Sequence, residues 1–310
     1  MIQLNSKIYI AGHRGFIGST ILSYLLQLGY TNLLVRTKAE LDLLDQKAVH
    51  DFLQHEKPEY VILCAAKVGG ILVNSQYQAE FLYQNLQIQT NVIHNSYLVG
   101  VKKLIFLASS CIYPTQCPQP MKEEYLYTGQ FESTNYGYAV AKAAGVTMCR
   151  AYNEQYDTNY ITVFPSNLYG PNDNFDLISS HALPALMRKI HEAKINNTGY
   201  INIWGSGKPM REWTYSVDIA RIVERILVSA DINKSILNIG TGTDISMVDL
   251  AKTIMDVVGY QCEIRLDSSK PDGMMRKVMD VSGARNLGLE VKTNLRDGLK
   301  MTYDWFVSNR

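Results

Sequence analysis

The chain has 310 residues, a formal net charge of +1, and 46% hydrophobic and 19% charged residues. That is the balance of a globular enzyme-sized protein, with no basic field for nucleic acid and no acidic tail. Five scattered cysteines without a C-x-x-C pair argue against a disulfide framework or a metal site and for a reducing cytoplasm. No apolar run reaches the ~18 residues of a membrane span, and "MIQLNSKIYIAG" enters a strand directly rather than reading as a signal peptide.

In chain order, "KIYIA" is a short apolar strand. A glycine turn follows, then a helix in which Ile17, Ile21, Leu22, Leu25 and Leu28 recur at helical spacing. "TNLLVR" is a second strand ending at Arg36, and "DQKAVHDFLQHE" a second helix with Asp45 as N-cap. "EYVILCAA" is a third strand. A long helix from Tyr77 is stopped by Gly100. "KLIFLASS" is a fourth strand, "NYGYAVAKAAGVTMCRAYNEQY" a helix and "YITVFP" a fifth strand. Short, fully apolar strands alternating with helices predict a parallel sheet covered on both faces, the doubly wound Rossmann class of α/β fold. After residue 170 the alternation breaks. A polar loop and helix, the hairpin-like "YINIWGSGKPMREWTY", another helix, "CEIRL", the loop "DSSKPDGMMRK" and a last helix follow. The expected division is a dinucleotide-binding domain over 1–170, its sheet completed by parts of about 200–240. A smaller, interleaved substrate lobe then covers most of 171–310.

Gly12-His13-Arg14-Gly15-Phe16-Ile17-Gly18 spells G-x-x-G-x-x-G between the first strand and the first helix. Glycines let the backbone approach a pyrophosphate, and the helix start at Phe16 and Ile17 offers free N–H groups and a positive dipole end. The end of the second strand sets the cofactor. A carboxylate there binds a ribose 2′-hydroxyl, whereas an arginine accepts a 2′-phosphate. Arg36, with Lys38 and Arg14 nearby and no carboxylate before Glu40, points to NADP(H).

Of twenty tyrosines, only Tyr138 has a lysine four residues on, Lys142. On a helix these share a face. An ammonium beside the phenol is expected to lower its pKa, so that it exchanges a proton with a substrate oxygen while hydride moves at the adjacent carbon. Ser109, at the end of the fourth strand in "SSCIYP", is placed to hold the same oxygen.

Glycine turn, strand-end serine and Y-x-x-x-K together resemble the extended short-chain dehydrogenase/reductase family over essentially the whole chain. "AAKVGGI", "SSCIYP", "NLYGPNDNF" and "WGSGKPMRE" resemble its branch that works on GDP-linked 4-keto-6-deoxy sugars. The resemblance implies NADPH, a GDP-linked 4-keto-6-deoxy sugar and a homodimer. It implies Ser109, Tyr138 and Lys142 as the reductase set, with Cys111 removing and His181 returning protons in a 3,5-epimerisation. It places the backbone of Pro165, Asn167 and Leu168 against the nicotinamide carboxamide and Asn167 against the sugar. Lys189, Trp204, Arg211 and Lys270 fall near the GDP portion, Arg211 as the phosphate clamp. Ser110-Cys111-Ile112 stands where sugar dehydratases of the superfamily carry an acid pair, which argues against dehydration.

Two stretches depart from that branch. Tyr136-Gly137 replaces a charged or proline-containing pair, and Thr214-Tyr215 replaces a Leu-His pair. Both are expected to flank the sugar. They keep open a dedicated C4-reductase of a GDP-4-keto-6-deoxy-heptose in capsule or lipopolysaccharide synthesis. Arg14 and Arg36 argue against a 4-epimerase holding NAD. The intact Tyr138 and Lys142 argue against a non-catalytic NADP-binding sensor.

Overall fold

The computed structural model describes residues 2–309 except 178, 234 and 271, with the backbone alone at 71 and 72. The chain runs β1 (Ile8–Ala11), α1 (Phe16–Gln27), β2 (Leu33–Leu34), α2 (Gln46–Glu56), β3 (Tyr60–Leu63), α3 (Ile71–Gln76), α4 (Gln78–Leu98) and β4 (Lys103–Leu107). It continues through α5 (Tyr136–Tyr156), β5 (Tyr160–Pro165), β6 (Asn167–Tyr169), α6 (Ala182–Asn196), β7 (Tyr200–Trp204), β8 (Met210–Arg211), β9 (Trp213–Tyr215) and α7 (Ser216–Val228). The last stretch holds β10 (Ile236–Ile239), β11 (Ile245–Ser246), α8 (Met247–Val258), β12 (Glu263–Asp267), β13 (Arg276–Lys277), α9 (Ser282–Asn286) and α10 (Leu295–Ser308).

Six parallel strands form the main sheet in the order β10-β5-β4-β3-β1-β2. Strand alternation divides its core. Tyr9, Val61, Leu63, Leu104, Phe106 and Phe164 enter the cluster on one face. Ile8, Ile10, Ile62, Ile105, Leu107, Ile161 and Val163 enter the other, with Ile21 and Leu25 of α1 and Ile219 and Val223 of α7. Both faces are covered, which is why these strands read as unbroken apolar runs. This is the doubly wound Rossmann architecture expected from the sequence.

Local details follow the chemistry. Asp45 caps α2, its Oδ1 accepting from Ala48 N at 2.9 Å. The second strand is shorter than expected, because only Leu33 and Leu34 pair with β1 at the sheet edge. The stretch read as hairpin-like does not pair with itself. β7 pairs with β12, β8 with β11 and β13, and β9 with β6. These small sheets and α6, α8 and α10 share a third core around Leu183, Met187, Ile190, Leu250, Ile254 and Leu299.

Candidate functional site

The carboxyl ends of β1, β3, β4, β5 and β10 lie along one edge of the sheet, where open α/β sheets bind ligands. At β1, a Cβ on Gly12 would lie 2.6 Å from Ala65 N at the end of β3, and one on Gly18 would lie 2.2 Å from Gly12 O. The turn is therefore held flat against the strand ends. Gly15, the N-cap of α1, brings no side-chain cap, and the first turn of α1 has no acidic residue. The helix N-terminus is left as a donor surface, so this cradle fits a dinucleotide pyrophosphate.

Arg14 is exposed and Arg36 half-buried. Both draw down the pKa of the Glu40 carboxyl, though its main cause is the hydrogen bond from Thr37, whose N–H donates to it at 2.7 Å. Both guanidinium groups thus lie within electrostatic reach of Glu40. Lys38 instead turns toward Asp42, at 3.9 Å. Arg36 is also paired with a residue the sequence reading missed. Its Nη2 donates to Glu56 Oε1 at 3.0 Å, and the guanidinium lies 5.2 Å from the Phe52 ring centroid. Phe52 and Glu56 are one turn apart on α2, a spacing that could have been read as an i, i+4 pair.

Beyond β4 the chain makes a tight turn over Ser110–Ile112, and Ser109 Oγ accepts from Cys111 N at 3.3 Å. Ser109 also lies near the side chains of Tyr138 and Cys111, close enough to favour the ionised form of each. Ser109, Cys111 and Tyr138 therefore meet at one point, half-buried. Lys142 is buried, 3% exposed. Its Nζ donates to Leu107 O at 2.8 Å, and lies 4.7 Å from the Phe106 ring centroid and 6.0 Å from that of Tyr138.

This corrects the expected electrostatics. Burial raises the Tyr138 phenol above its ordinary value, with the Cys111 thiol adding to the rise. Lys142 points its charge at the Leu107 carbonyl. Burial lowers Lys142 itself to about 8. Burial likewise pushes the Cys111 thiol up, opposed by Lys277, Ser109 and Lys142.

Lys277 is the other residue missed. On the two-residue β13, Arg276 turns out to Asp244 at 2.6 Å, while Lys277 turns in. It feels Cys111, Arg211 and Glu132, and burial and Arg211 hold its pKa below the usual lysine value. The basic pair that ends "DSSKPDGMMRK" was visible, but which of the two faces inward depends on strand register. His181 is the N-cap of α6 and makes no capping hydrogen bond. It keeps solvent access, yet desolvation and Lys277 hold its pKa below the ordinary histidine value. Lys277 thus lies within electrostatic reach of both His181 and Cys111.

Arg211 is half-buried, its Nη1 donating to Met210 O at 2.9 Å. Trp204 is 48% exposed, with Lys189 Nζ 5.8 Å and Lys270 Nζ 5.5 Å from its ring centroid. Lys189 Nζ also donates to Asn202 O at 3.2 Å. Pro165 ends β5, and Asn167 and Leu168 lie on β6. Asn167 Nδ2 donates to Glu212 O at 2.8 Å.

The departures resolve differently. Thr214 is fully buried and shares a 2.7 Å hydrogen bond with Ser166, while Tyr215 packs 5.8 Å from Tyr169. These two are packing residues, not a cleft wall as expected. Tyr136 is exposed, and a Cβ on Gly137 would lie 2.4 Å from Gln78 O. Among the described residues, no group of three or more His, Cys, Asp or Glu side chains is placed to hold a metal ion, and no helix is long and apolar enough to cross a membrane.

Residues 8–240 match the NAD dependent epimerase/dehydratase family. The chain is 49% identical over 309 residues to GDP-L-fucose synthase 1 of Arabidopsis thaliana, covering 100% of this chain and 95% of that one. It is 46% identical to GDP-L-fucose synthase of Escherichia coli (strain K12), covering 98% and 97%. Its structure superposes on the GDP-mannoheptose C4 reductase MlghC of Campylobacter jejuni, solved with NADP bound. The TM-score is 0.91 at 39% identity, covering 99% of this chain and all of that one.

Proposed function

The chain belongs to the NAD dependent epimerase/dehydratase family, and on that premise we propose an NADPH-dependent reductase of the C4 ketone of a GDP-linked 4-keto-6-deoxy sugar, which also epimerises C3 and C5. The observation that carries the reading is the meeting of Ser109, Cys111 and Tyr138 at the carboxyl end of β4. Residues 1–170 serve mainly the cofactor and 171–310 mainly the sugar nucleotide. The enzyme works in the cytoplasm, as a homodimer, in the supply of sugars for capsule polysaccharide.

The glycine cradle and the start of α1 would hold the cofactor's pyrophosphate, with Arg14 and Arg36 at the 2′-phosphate and the backbone of Pro165, Asn167 and Leu168 at the carboxamide. Bound NADPH supplies the hydride that C4 accepts. Tyr138 gives its proton to the C4 oxygen, which Ser109 also holds. Reduction consumes a proton, so a phenol kept protonated by burial is in the form the step needs. Lys142 contributes positive charge behind it.

Polarising the ketone acidifies the C3 and C5 protons. Cys111 removes them as thiolate, a form that burial disfavours and that the charges of Lys277 and Lys142, with Ser109, partly restore. His181 returns the proton. Its depressed pKa makes the imidazolium a stronger acid, though a scarcer one at neutral pH. Arg211 and Lys277 clamp the diphosphate. Trp204, with Lys189 and Lys270 over its ring, offers a stacking face and two cations for the base, and Asn167 lies against the sugar.

A second reading, a dedicated C4-reductase of a GDP-heptose, is favoured by the full-length similarity to the Campylobacter jejuni reductase. One experiment separates them. Purified protein is given NADPH with GDP-4-keto-6-deoxy-mannose or its heptose analogue in deuterated water. Cofactor oxidation is followed by absorbance and the product by NMR. Deuterium at C3 and C5, lost in Cys111→Ser while reduction of an already epimerised sugar survives, supports the epimerase. Reduction without exchange in the wild type supports the dedicated reductase and makes Cys111 a packing residue. No cofactor oxidation with either sugar would sink both.

A further inference from the structure

Glu212 is 0% exposed, and it stands between Arg211 and Trp213. Both carboxylate oxygens are taken by donors from distant segments. Oε2 accepts from Met279 N at 2.8 Å. Oε1 accepts from Gly242 N at 2.8 Å and from Thr241 Oγ1 at 3.4 Å. The fit is close: a Cβ on Gly240 would lie 2.0 Å from Oε1. Its own main-chain oxygen accepts from Asn167 Nδ2 at 2.8 Å. Three distant segments are thereby tied to one residue.

Each segment carries a residue of the substrate cleft or an end of the main sheet. Residues 240–242 leave β10, the sheet's outer strand. Met279 follows β13 by two residues, and β13 runs parallel to β8 with Lys277 opposite Arg211. A carboxylate offers acceptors only, so it can answer N–H groups from two sides at once. Hydrogen bonds to a charged acceptor are the strong kind, and a buried carboxylate left without them is costly.

We propose that Glu212 is a positioning residue that sets the spacing of the Arg211 and Lys277 cations and fixes that pair to the end of the cofactor-binding sheet. The inference rests on the reading of Arg211 and Lys277 as the diphosphate clamp. Glu212, fully buried, offers no surface to either nucleotide. It acts through the residue before it in the chain and through the strand that Met279 continues.

The test uses GDP as the probe, with binding measured by titration calorimetry and NADPH binding measured on the same samples. Glu212→Gln keeps the side chain's size but turns one acceptor into an amide NH2 facing an N–H donor. GDP is expected to bind about tenfold more weakly, with NADPH affinity changed less than about twofold. Residues acting through one another are non-additive. In an Arg211→Met/Lys277→Met background the same change should therefore cost GDP less than about threefold.

A full tenfold loss in that background, or equal weakening of GDP and NADPH, overturns the proposal. If Glu212→Gln does not fold, Glu212→Asp, which keeps two acceptors but withdraws them by one methylene, is put through the same cycle and judged the same way. If Arg211→Met and Lys277→Met themselves leave GDP binding intact, the clamp reading falls and this inference with it. That outcome is separate from a Glu212 effect that proves additive.

Discussion

Arg36 and Arg211 begin alike. Each is half-buried, and each donates from Nη1 to the carbonyl of the residue before it at 2.9 Å. They differ in what answers the charge. Arg36 is met by Glu56 at 3.0 Å and by the face of Phe52. Arg211 is desolvated, drawn by Glu132 and Asp272, and repelled by Lys277. The first cation is paired at contact distance before any ligand arrives, and the second, within reach of Glu132 and Asp272, also shares a partly dry setting with a second cation. A phosphate reaching Arg36 must share it with a carboxylate. One reaching Arg211 and Lys277 relieves a repulsion, so the same chemical contact is worth more there.

The largest expected effect follows from that difference. Arg211→Ala should raise the KM for the GDP-sugar roughly 10- to 100-fold, the range of a charge-assisted hydrogen bond, and leave NADPH binding unchanged. Steady-state kinetics with either substrate varied checks it, and a change confined to NADPH would reverse the comparison. Lys277→Met comes next, with a rise of about tenfold. It should also shift alkylation of Cys111 by iodoacetamide, read by peptide mass spectrometry, to higher pH, because Lys277 opposes the rise of the thiol. An unmoved alkylation profile would separate Lys277 from Cys111.

Arg36→Ala should weaken NADPH by less than about tenfold, since Glu56 already offsets the charge, and NADH hardly at all. Fluorescence titration with both cofactors decides, and an equal loss for the two would remove Arg36 from the 2′-phosphate. The smallest effect is in pH. Lys277 has its pKa pushed down by burial and Arg211, so its charge is lost sooner than an ordinary lysine's as pH rises. The KM for the GDP-sugar should climb gently on the alkaline side, while NADPH affinity, which does not rest on Lys277, stays level. Lys277→Arg should flatten the first curve.

The glycine turn was legible because its constraint is local. Gly12 and Gly18 press on backbone within one strand–turn–helix unit and on the neighbouring strand end. The sheet was legible for a similar reason, since burial on both faces leaves apolar runs in the sequence. The Ser109–Tyr138 meeting was legible as a spacing plus a strand end. Its charge state was not, because Lys142 could as well turn to the Leu107 carbonyl as to the phenol, and it does.

The i, i+4 spacing of Phe52 and Glu56 was legible, but its pairing with Arg36 and the inward turn of Lys277 were not, for a different reason. Both depend on register between segments far apart in sequence, Arg36 with α2 and β13 with β8. Thr214 and Tyr215 mark the converse error. Their departure from a family pattern is expected to flank the sugar and leaves its shape open, yet Ser166 and Tyr169 absorb it as packing.

The return of the chain through β10 has a consequence for how such an enzyme can be rebuilt. The outer strand of the cofactor sheet, and the helix α7 that packs beside α1, come after the first stretch of the substrate lobe. The two halves are braided, not strung in series. Exchanging everything after residue 170 for the matching part of another nucleotide-sugar enzyme would make the β5–β10 pairing and the packing now supplied by Leu237 and Ile239 depend on a foreign strand. New specificity has to be grafted piecemeal, on the segments that hang from the braid. The connections from β6 to α6 and from β12 to β13 are the natural grafting points, because neither carries a described strand of the main sheet.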